Sequence, residues 1–282
     1  MKVNEKIISF SCEEELLVGI LHQPEKPTGV AVLIVVGGPQ YRIGSHRQFV
    51  ILARFLAQQG VSVFRFDYRG MGDSSGFVQD FEQVGPDIKA AVDVFYNQHL
   101  GIKKLFLWGL CDAASAISFY ASEDKRVEGL VLLNPWVRTE KGENRAFLKN
   151  YYLKRIFSRG LWQKVLSGEL NLRASLVSLA QKFKGAFKKP LVEEASEELL
   201  PLPDRVLNSL SGFNKPLLFI LSGRDLTAQE FIQLVASDAR GKKLMRSDNV
   251  SRIDLSDSDH TFSNDAWREQ VNTITWEWVK DV

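Results

Sequence analysis

The sequence predicts an α/β fold, in which a mainly parallel, eight-stranded sheet is flanked by helices and carries an inserted helical cap. Short apolar runs alternate with segments of helical periodicity, which is typical of a parallel sheet covered by helices. The run 30–36 is continuous and β-branched, as expected of a strand buried on both faces. The alternation stops between about residues 136 and 211. We therefore expect a core of residues 1–135 and 212–282 and a cap of residues 136–211.

Two amphipathic strands separated by a polar turn come first and are expected to form an antiparallel pair. The located strands are 5–11, 15–22, 30–36, 61–66, 104–108, 127–133 and 216–221. The expected helices are 48–59, 82–99, 113–122, 227–238 and 265–280. Thr227, with Glu230 three residues later, has the pattern of a capping box and is expected to begin its helix.

Composition and charge argue against several classes of protein. The chain has 282 residues and a net charge of +2, so its bulk charge gives no reason to expect nucleic-acid binding. The N-terminus lacks the apolar core of a secretory signal, and no run reaches the roughly 18 apolar residues of a membrane span. Its two cysteines suit neither a disulfide framework nor a metal site, and no cofactor is implied. We expect a cytoplasmic protein, because a catalytic thiol stays reduced there.

The segment around Cys111 has the pattern of a nucleophile on a sharp turn between a strand and a helix. An apolar strand runs into a helix through Gly109, Leu110, Cys111, Asp112 and Ala113. Such a turn has a strained backbone and needs small residues two before and two after the nucleophile, as Gly109 and Ala113 are. The helix N-terminus favours a thiolate, whereas the carboxylate of Asp112 opposes it. The alternative is that Cys111 is a small apolar residue buried at the end of a strand.

Candidate partners follow Cys111 in the order acid then histidine, which is typical of the α/β-hydrolase fold. Asp225 lies just after an expected core strand, and His260 lies in a polar loop before the last helix. His260 is expected to accept the thiol proton, and Asp225 to orient the imidazole and stabilise its charged form. Asp257 and Asp259 are rival acids, but close sequence neighbours of the histidine are awkwardly placed to bond its ring. The alternative role for Asp225 is to cap a turn or a helix.

Other polar positions near this arrangement are less specific. A second common place for the acid, the end of the preceding core strand, holds Asn134, which strengthens the assignment of Asp225. His22 and His99 end a strand and a helix and are expected to be structural. His46 follows the loop after the first buried strand. It is a possible substrate-binding residue, with a solvated or helix-starting role as the alternative.

The negative oxygen formed during attack on an acyl group needs two backbone N–H donors, one after the nucleophile and one from the loop after the first parallel strand. The first is the N–H of Asp112. In the loop 37–41, Pro39 has no N–H, so Gly38 is the expected second donor and Gln40 the reserve. Gln40 is also a possible substrate-binding residue. The glycines of this loop have turn formation as their alternative role.

Several segments resemble known families. By itself the segment 67–74 is expected to be a structural glycine-rich turn, because its spacing matches no phosphate-binding loop. It resembles the conserved loop of the serine-aminopeptidase/lysophospholipase branch of α/β-hydrolases. A second resemblance, to the type 1 hydrolases associated with exosortase A systems, is closer. It rests on Gly-Gly-Pro-Gln-Tyr-Arg (37–42), Gly-Ser-His-Arg (44–47), Trp-Gly-Leu-Cys-Asp-Ala-Ala-Ser-Ala (108–116) and Leu-Asn-Pro-Trp-Val-Arg (133–138).

The closer resemblance implies an α/β-hydrolase fold, a triad of Cys111, Asp225 and His260, and a setting in exopolysaccharide biosynthesis. It implies no particular substrate. A cysteine nucleophile forms an acyl-thioester enzyme, and thiolates react well with thioesters, lactones and esters. We therefore expect an esterase or thioesterase acting on a small acyl substrate. The alternatives are an acyltransferase using the same triad and a non-catalytic binding protein built on a hydrolase fold.

The expected cap is strongly basic. Residues 138–189 contain 13 Lys or Arg and 3 Asp or Glu, and apolar and aromatic residues interleave with these charges. Three interpretations stay open. The apolar face packs over the active site while the basic residues are solvated, or the cap attracts an anionic or lipid-linked substrate, or it rests on an anionic membrane surface.

Overall fold

Eight strands of the described residues form one hydrogen-bonded sheet. The computed structural model describes residues 3–38, 40–99, 101–138 and 200–282. The strands are β1 (Val3–Cys12), β2 (Glu15–Pro24), β3 (Val30–Val35), β4 (Ser62–Phe66), β5 (Lys104–Leu110), β6 (Val127–Leu133), β7 (Leu217–Ser222) and β8 (Val250–Leu255). Their order in the sheet is β1-β2-β4-β3-β5-β6-β7-β8. β2 runs antiparallel to both of its neighbours, and the other neighbouring pairs are parallel. The predicted fold class and the antiparallel opening pair are confirmed.

Helices connect the parallel strands and cover the sheet. In the described residues they are α1 (Gln48–Gln58), α2 (Gly85–Gln98), α3 (Asp112–Ala121), α4 (Leu202–Gly212), α5 (Leu226–Ser237), α6 (Ala239–Leu244) and α7 (Asp265–Asp281), with a 3-10 turn at Ser45–Arg47. α1 packs against α7, and α3 packs against α2 and α4. None of the helices in this part of the chain is long and apolar enough to cross a membrane.

The core lies around the central strands. Every residue of β4 and β7 is buried, and so is every residue of β6 except Glu128, because these strands are covered on both faces. Aromatic side chains join the helices to this sheet, as where Phe106 of β5 meets Trp278 of α7 with ring centroids 5.5 Å apart. β5, β6 and β7 are parallel neighbours, so their carboxyl ends meet at one edge of the sheet. This edge is where ligands of open α/β sheets bind.

Two elements were not located from the sequence. β8 lies at the edge of the sheet and pairs only with β7, so most of its residues are exposed and it has no continuous apolar run. α6 has six residues, too few to show a helical period.

The predicted cap falls mostly on residues 139–199, outside the described residues. The end of the predicted segment, α4, packs against α3 and α6 and buries Val206, Leu207 and Leu210. α4 therefore belongs to the same compact unit as the sheet. That residues 139–199 form a basic helical cap stays a prediction.

Candidate active site

Cys111 lies on a strained turn between β5 and α3. Its backbone has φ 66° and ψ −127°, which is costly for a residue with a Cβ. The turn is held by the neighbouring strand, because the N–H of Cys111 donates to the carbonyl of Leu133 over 2.9 Å. The carbonyl of Cys111 accepts from Ala114 at 3.1 Å and from Trp136 at 3.2 Å. The thiol therefore lies at the carboxyl edge of the sheet, and these hydrogen bonds hold the backbone of Cys111 in its strained conformation.

The small residues around Cys111 are required by close packing. A Cβ at Gly109 would lie 2.8 Å from the carbonyl carbon and oxygen of Ala113 and 2.9 Å from the nitrogen of Ala114. Ala113 is itself buried. Any larger residue at position 109 would push the start of α3 away from β5, as the sequence pattern predicted.

His260 lies between Asp225 and Cys111. Nδ1 of His260 lies 2.9 Å from Oδ2 of Asp225. The interactions of the imidazole with Asp225 and with Cys111 raise the pKa of His260 to about 10, although burial acts in the opposite direction. The His260 side chain is 33% exposed and that of Asp225 is 8% exposed. The structure thus brings together the three residues that the sequence selected.

Asp225 both partners His260 and caps α5. Its carboxylate accepts from the N–H of Thr227 at 3.3 Å and of Ala228 at 3.1 Å, so Asp225 is the N-cap of the helix. The expectation that Thr227 begins the helix was wrong, because Asp225 lies closer to the strand and takes the free N–H groups first. The two roles weighed for Asp225 are not alternatives.

The rival acids have other partners. Asp257 is exposed and its carboxylate lies 3.0 Å from the guanidinium of Arg224. The carboxylate of Asp259 accepts from the N–H of Thr261 at 3.2 Å and of Ser263 at 3.0 Å, which shapes the loop around His260. Neither is hydrogen-bonded to the imidazole.

Asn134 joins the acid loop to the histidine loop, a role that the sequence did not reveal. It is fully buried at the end of β6, with φ 44°. Its Oδ1 accepts from the N–H of Ser222 at 2.9 Å, and its Nδ2 donates to the Ser222 hydroxyl at 2.9 Å and to the His260 carbonyl at 3.2 Å. The Ser222 hydroxyl in turn donates to the carbonyl of Asp259 at 2.9 Å. One buried amide therefore fixes the strand end before Asp225 and the loop of His260.

One of the two expected oxyanion donors, the N–H of Gly38, is already hydrogen-bonded. The N–H of Gly38 donates to the carboxylate of Asp112, 2.7 Å from Oδ1 and 2.9 Å from Oδ2. The N–H of Ala113 donates to the same Oδ1 over 2.9 Å. Gln40 shapes the following turn, because its Oε1 accepts from the N–H of Ser45 at 3.0 Å. The sequence did not reveal that the side chain of Asp112 reaches this loop.

The family model described as serine aminopeptidase, S33, matches residues 30–240, which is about three quarters of the chain. The chain belongs to this family. It is therefore a hydrolase, and the resemblance of segment 67–74 to the serine-aminopeptidase branch is confirmed. The family description names a serine, whereas the strained turn between β5 and α3 of this S33-family hydrolase carries Cys111.

Solved structures agree with the fold of the S33-family hydrolase. The esterase Pf2001 of Pyrococcus furiosus is 20% identical, with a TM-score of 0.67 over 99% of this chain and 91% of that chain. Est1E of Butyrivibrio proteoclasticus, solved with ferulic acid bound, is 16% identical, with a TM-score of 0.61 over 97% of this chain and 98% of that chain. At these identities the likeness shows the α/β-hydrolase fold. A search of curated proteins returned no significant match.

In this S33-family hydrolase, Arg69 of segment 67–74 and Arg42 of the loop after β3 form ion pairs with aspartates. The buried carboxylate of Asp67 accepts from the backbone N–H of Arg42 at 2.6 Å, and the Arg42 guanidinium pairs with Asp67 and Asp73. The guanidinium of Arg69 lies 2.8 Å from the buried Asp87. The turn thus holds the loop that begins with Gly38, in line with its expected structural role.

The remaining histidines of the hydrolase do not belong to the group formed by Cys111, His260 and Asp225. His22 is fully buried and accepts from Nε of Arg65 at 2.9 Å; burial, then the charge of Arg65, lowers its pKa to about 4. Burial also lowers the pKa of His99. His46 is exposed, in the left-handed conformation with φ 53°, in the turn before α1. A substrate contact of His46 stays a prediction.

The raised pKa of His260 predicts a fall in stability at alkaline pH. The folded protein holds this proton up to about pH 10, whereas the unfolded chain releases it near 6.5. The stabilising contribution is complete below pH 6.5 and disappears as the pH rises through 10. Urea unfolding at several pH values should therefore show a loss between 6.5 and 10 that is smaller in His260→Gln. Equal slopes for the two proteins would contradict the shifted pKa.

Proposed function

We propose that this hydrolase cleaves esters or thioesters by covalent catalysis, with Cys111 as the nucleophile, His260 as the base and acid, and Asp225 as the residue that orients the imidazole. The observation that carries the proposal is the hydrogen bond between Asp225 and His260, with Cys111 close enough to the imidazole to raise its pKa, at the carboxyl edge of the sheet. The strained turn under Cys111 supports it, because such geometry persists where function requires it. The family and the esterase structures support the ester bond as the target.

The reaction consists of two acyl transfers. His260 enters the reaction protonated, in line with its raised pKa, and Sγ of Cys111 attacks the acyl carbon as the thiolate while the carbonyl electron pair moves to oxygen. Collapse of this intermediate expels the alcohol or thiol, which takes the proton from His260. Water then loses a proton to His260 and attacks the acyl-thioester. The acid leaves, and Sγ is released as the thiolate beside the protonated His260.

Asp225 stabilises the charged imidazole during both steps. Its bond to Nδ1 leaves the other ring nitrogen to face Cys111, and its negative charge favours the protonated ring. The N–H groups of Gly38 and Asp112 are the proposed donors to the oxyanion. Gln40 and His46 stay candidates for substrate contacts at the rim of the same loop.

Alkylation tests the nucleophile within a single protein, because Cys12 serves as an internal control. Cys12 is buried, and burial raises its pKa to about 11, so iodoacetamide should spare it. Peptide mass spectrometry should find Cys111 carbamidomethylated, with loss of p-nitrophenyl acetate hydrolysis in proportion to labelling. Brief incubation with that ester should leave an acetyl group on Cys111. Full hydrolysis after complete labelling of Cys111 would refute the assignment.

We also propose the cellular setting that the sequence resemblance implies. The segments around Gly38, Cys111 and Asn134 support a role beside exopolysaccharide biosynthesis and exosortase systems, in the cytoplasm, where the thiol stays reduced. The basic segment 138–189 supports an anionic or lipid-linked acyl substrate, with a solvated cap surface as the simpler account. Genes for polysaccharide synthesis next to this one would agree with the setting, and their absence from related genomes would count against it.

A further inference from the structure

One of the two backbone N–H groups proposed for the oxyanion, that of Gly38, already has a partner, the carboxylate of Asp112. The N–H of Gly38 lies within 2.9 Å of both of its oxygens. The N–H of Ala113, the next residue along α3, donates to the same carboxylate over 2.9 Å. An oxygen anion of the protein therefore accepts from a donor that would bind the oxygen anion of the reaction.

The loop after β3 is shaped to let this carboxylate approach. A Cβ at Gly37 would overlap Oδ1 of Asp112 and lie 2.5 Å from the carbonyl of Leu110, so only glycine fits there. Gly38 has φ +59°, which favours glycine, and a Cβ on it would meet nothing within 4 Å. The inner side of the loop is filled by the carboxylate, while no atom of the described residues occupies the space beside Gly38.

The charge of Asp112 is balanced by N–H groups. No Lys, Arg or His of the described residues forms an ion pair with it, so the backbone donors and the N-terminus of α3 stabilise its negative charge. Burial raises the pKa of Asp112 against the effect of these N–H groups, and the charge of Asp80 raises it further. The carboxylate is thus held in place by hydrogen bonds alone, which a competing acceptor can replace.

We propose that Asp112 is a positioning residue that fills the oxyanion hole of the resting enzyme and must release Gly38 before an acyl group is attacked. The proposal rests on the proposed role of Cys111 as the nucleophile. One N–H group cannot serve two anions at full strength, and two negative charges that share the same donors repel each other. Acylation therefore includes the displacement of the carboxylate, and Asp112 slows the reaction by acting through Gly38.

Removing the charge should accelerate hydrolysis. The amide oxygen of Asp112→Asn still accepts from Gly38 but is neutral, and Asp112→Ala leaves the N–H of Gly38 without this acceptor. A single oxyanion donor contributes about 10²–10³ in kcat, so we expect kcat for p-nitrophenyl acetate to rise by roughly tenfold or more, with little change in KM. Thermal unfolding of both variants separates this effect from damage to the loop.

Two reagents separate the oxyanion hole from the reactivity of the thiol. Iodoacetamide alkylates Cys111 by displacing iodide and creates no negative oxygen. A trifluoromethyl ketone instead adds Sγ to its carbonyl carbon and places a negative charge on the oxygen. In Asp112→Asn the affinity for the ketone should increase roughly tenfold or more, by a larger factor than the alkylation rate. Asp80→Asn is the matched control, because Asp80 acts on Asp112 through its charge without contacting Gly38; it should leave both measurements close to wild type.

The outcomes are distinct. Equal gains with the two reagents, or slower hydrolysis in a stable Asp112→Asn protein, would show that the carboxylate only anchors the loop, and the proposal fails. An active wild type with an unchanged Asp112→Asn protein refutes this proposal alone, whereas a wild type inert to both ester and iodoacetamide refutes the nucleophile as well. In the wild type, the amide resonance of Gly38 should shift when the ketone binds. Modification of Cys111 without that shift also overturns the proposal.

Discussion

Cys111→Ala is expected to abolish ester turnover, with kcat/KM reduced roughly 10⁴-fold or more, as when a nucleophile is removed from other hydrolases. The alanine keeps the backbone cost of φ 66° and removes only Sγ, so the fold should persist. Steady-state hydrolysis of p-nitrophenyl acetate and of an acyl thioester measures the loss, and thermal unfolding checks the fold. Turnover at the wild-type rate would remove Cys111 from the mechanism.

Cys111→Ser is the more informative companion of that variant. Serine matches the nucleophile of the family description, but a hydroxyl holds its proton far more tightly than a thiol. The site should therefore keep weak activity, above the alanine variant and well below the wild type. Cys12→Ala is the control, since it removes the other thiol from a buried position in β1 and should leave kcat unchanged. A serine variant faster than the wild type would show that the site is not adapted to sulfur.

The sequence predicted the parts of the site whose geometry depends on near neighbours. Gly109 and Ala113 follow from the crowding of one turn, and the strand 30–36 follows from burial on both faces. The position of Asp225 was recognised because the fold presents its acid after a strand. Its second role, as the N-cap of α5, was assigned to Thr227 because the capping pattern alone does not show where the strand ends.

Contacts between distant parts of the chain were not predictable in this way. Asp112 and Gly38 are 74 residues apart, and nothing local shows that the Asp112 side chain turns toward the loop rather than toward solvent. From the sequence, Asn134 was recognised only as a residue that stands in place of a catalytic acid. Its hydrogen bonds were not foreseen, because its partner Ser222 lies 88 residues away. Both are polar residues at the carboxyl ends of buried strands. A polar residue at the end of a buried strand, where an apolar residue would also fit, indicates a hydrogen bond to a distant part of the chain.

Asp225→Asn is expected to lower kcat by about 10⁴-fold, the effect of the same change on the triad aspartate of a serine protease. Asparagine is as good an N-cap as aspartate, so α5 should keep its first turn. The lost charge removes the main cause of the raised pKa of His260, which should fall from about 10 toward 6.5. The imidazole is then neutral at pH 8 and lacks the proton that the leaving group needs.

NMR titration of the His260 ring separates this electrostatic role from a structural one. The wild type should keep its imidazolium signals up to about pH 10, whereas the variant should titrate near neutrality. Asp238→Asn is the matched control, because Asp238 caps α6 through the N–H of Arg240 and does not bond His260. It should change neither kcat nor the titration. An Asp225→Asn protein that loses activity while His260 still titrates near 10 would mean that Asp225 acts only by holding α5 in place, and that another group charges the imidazole.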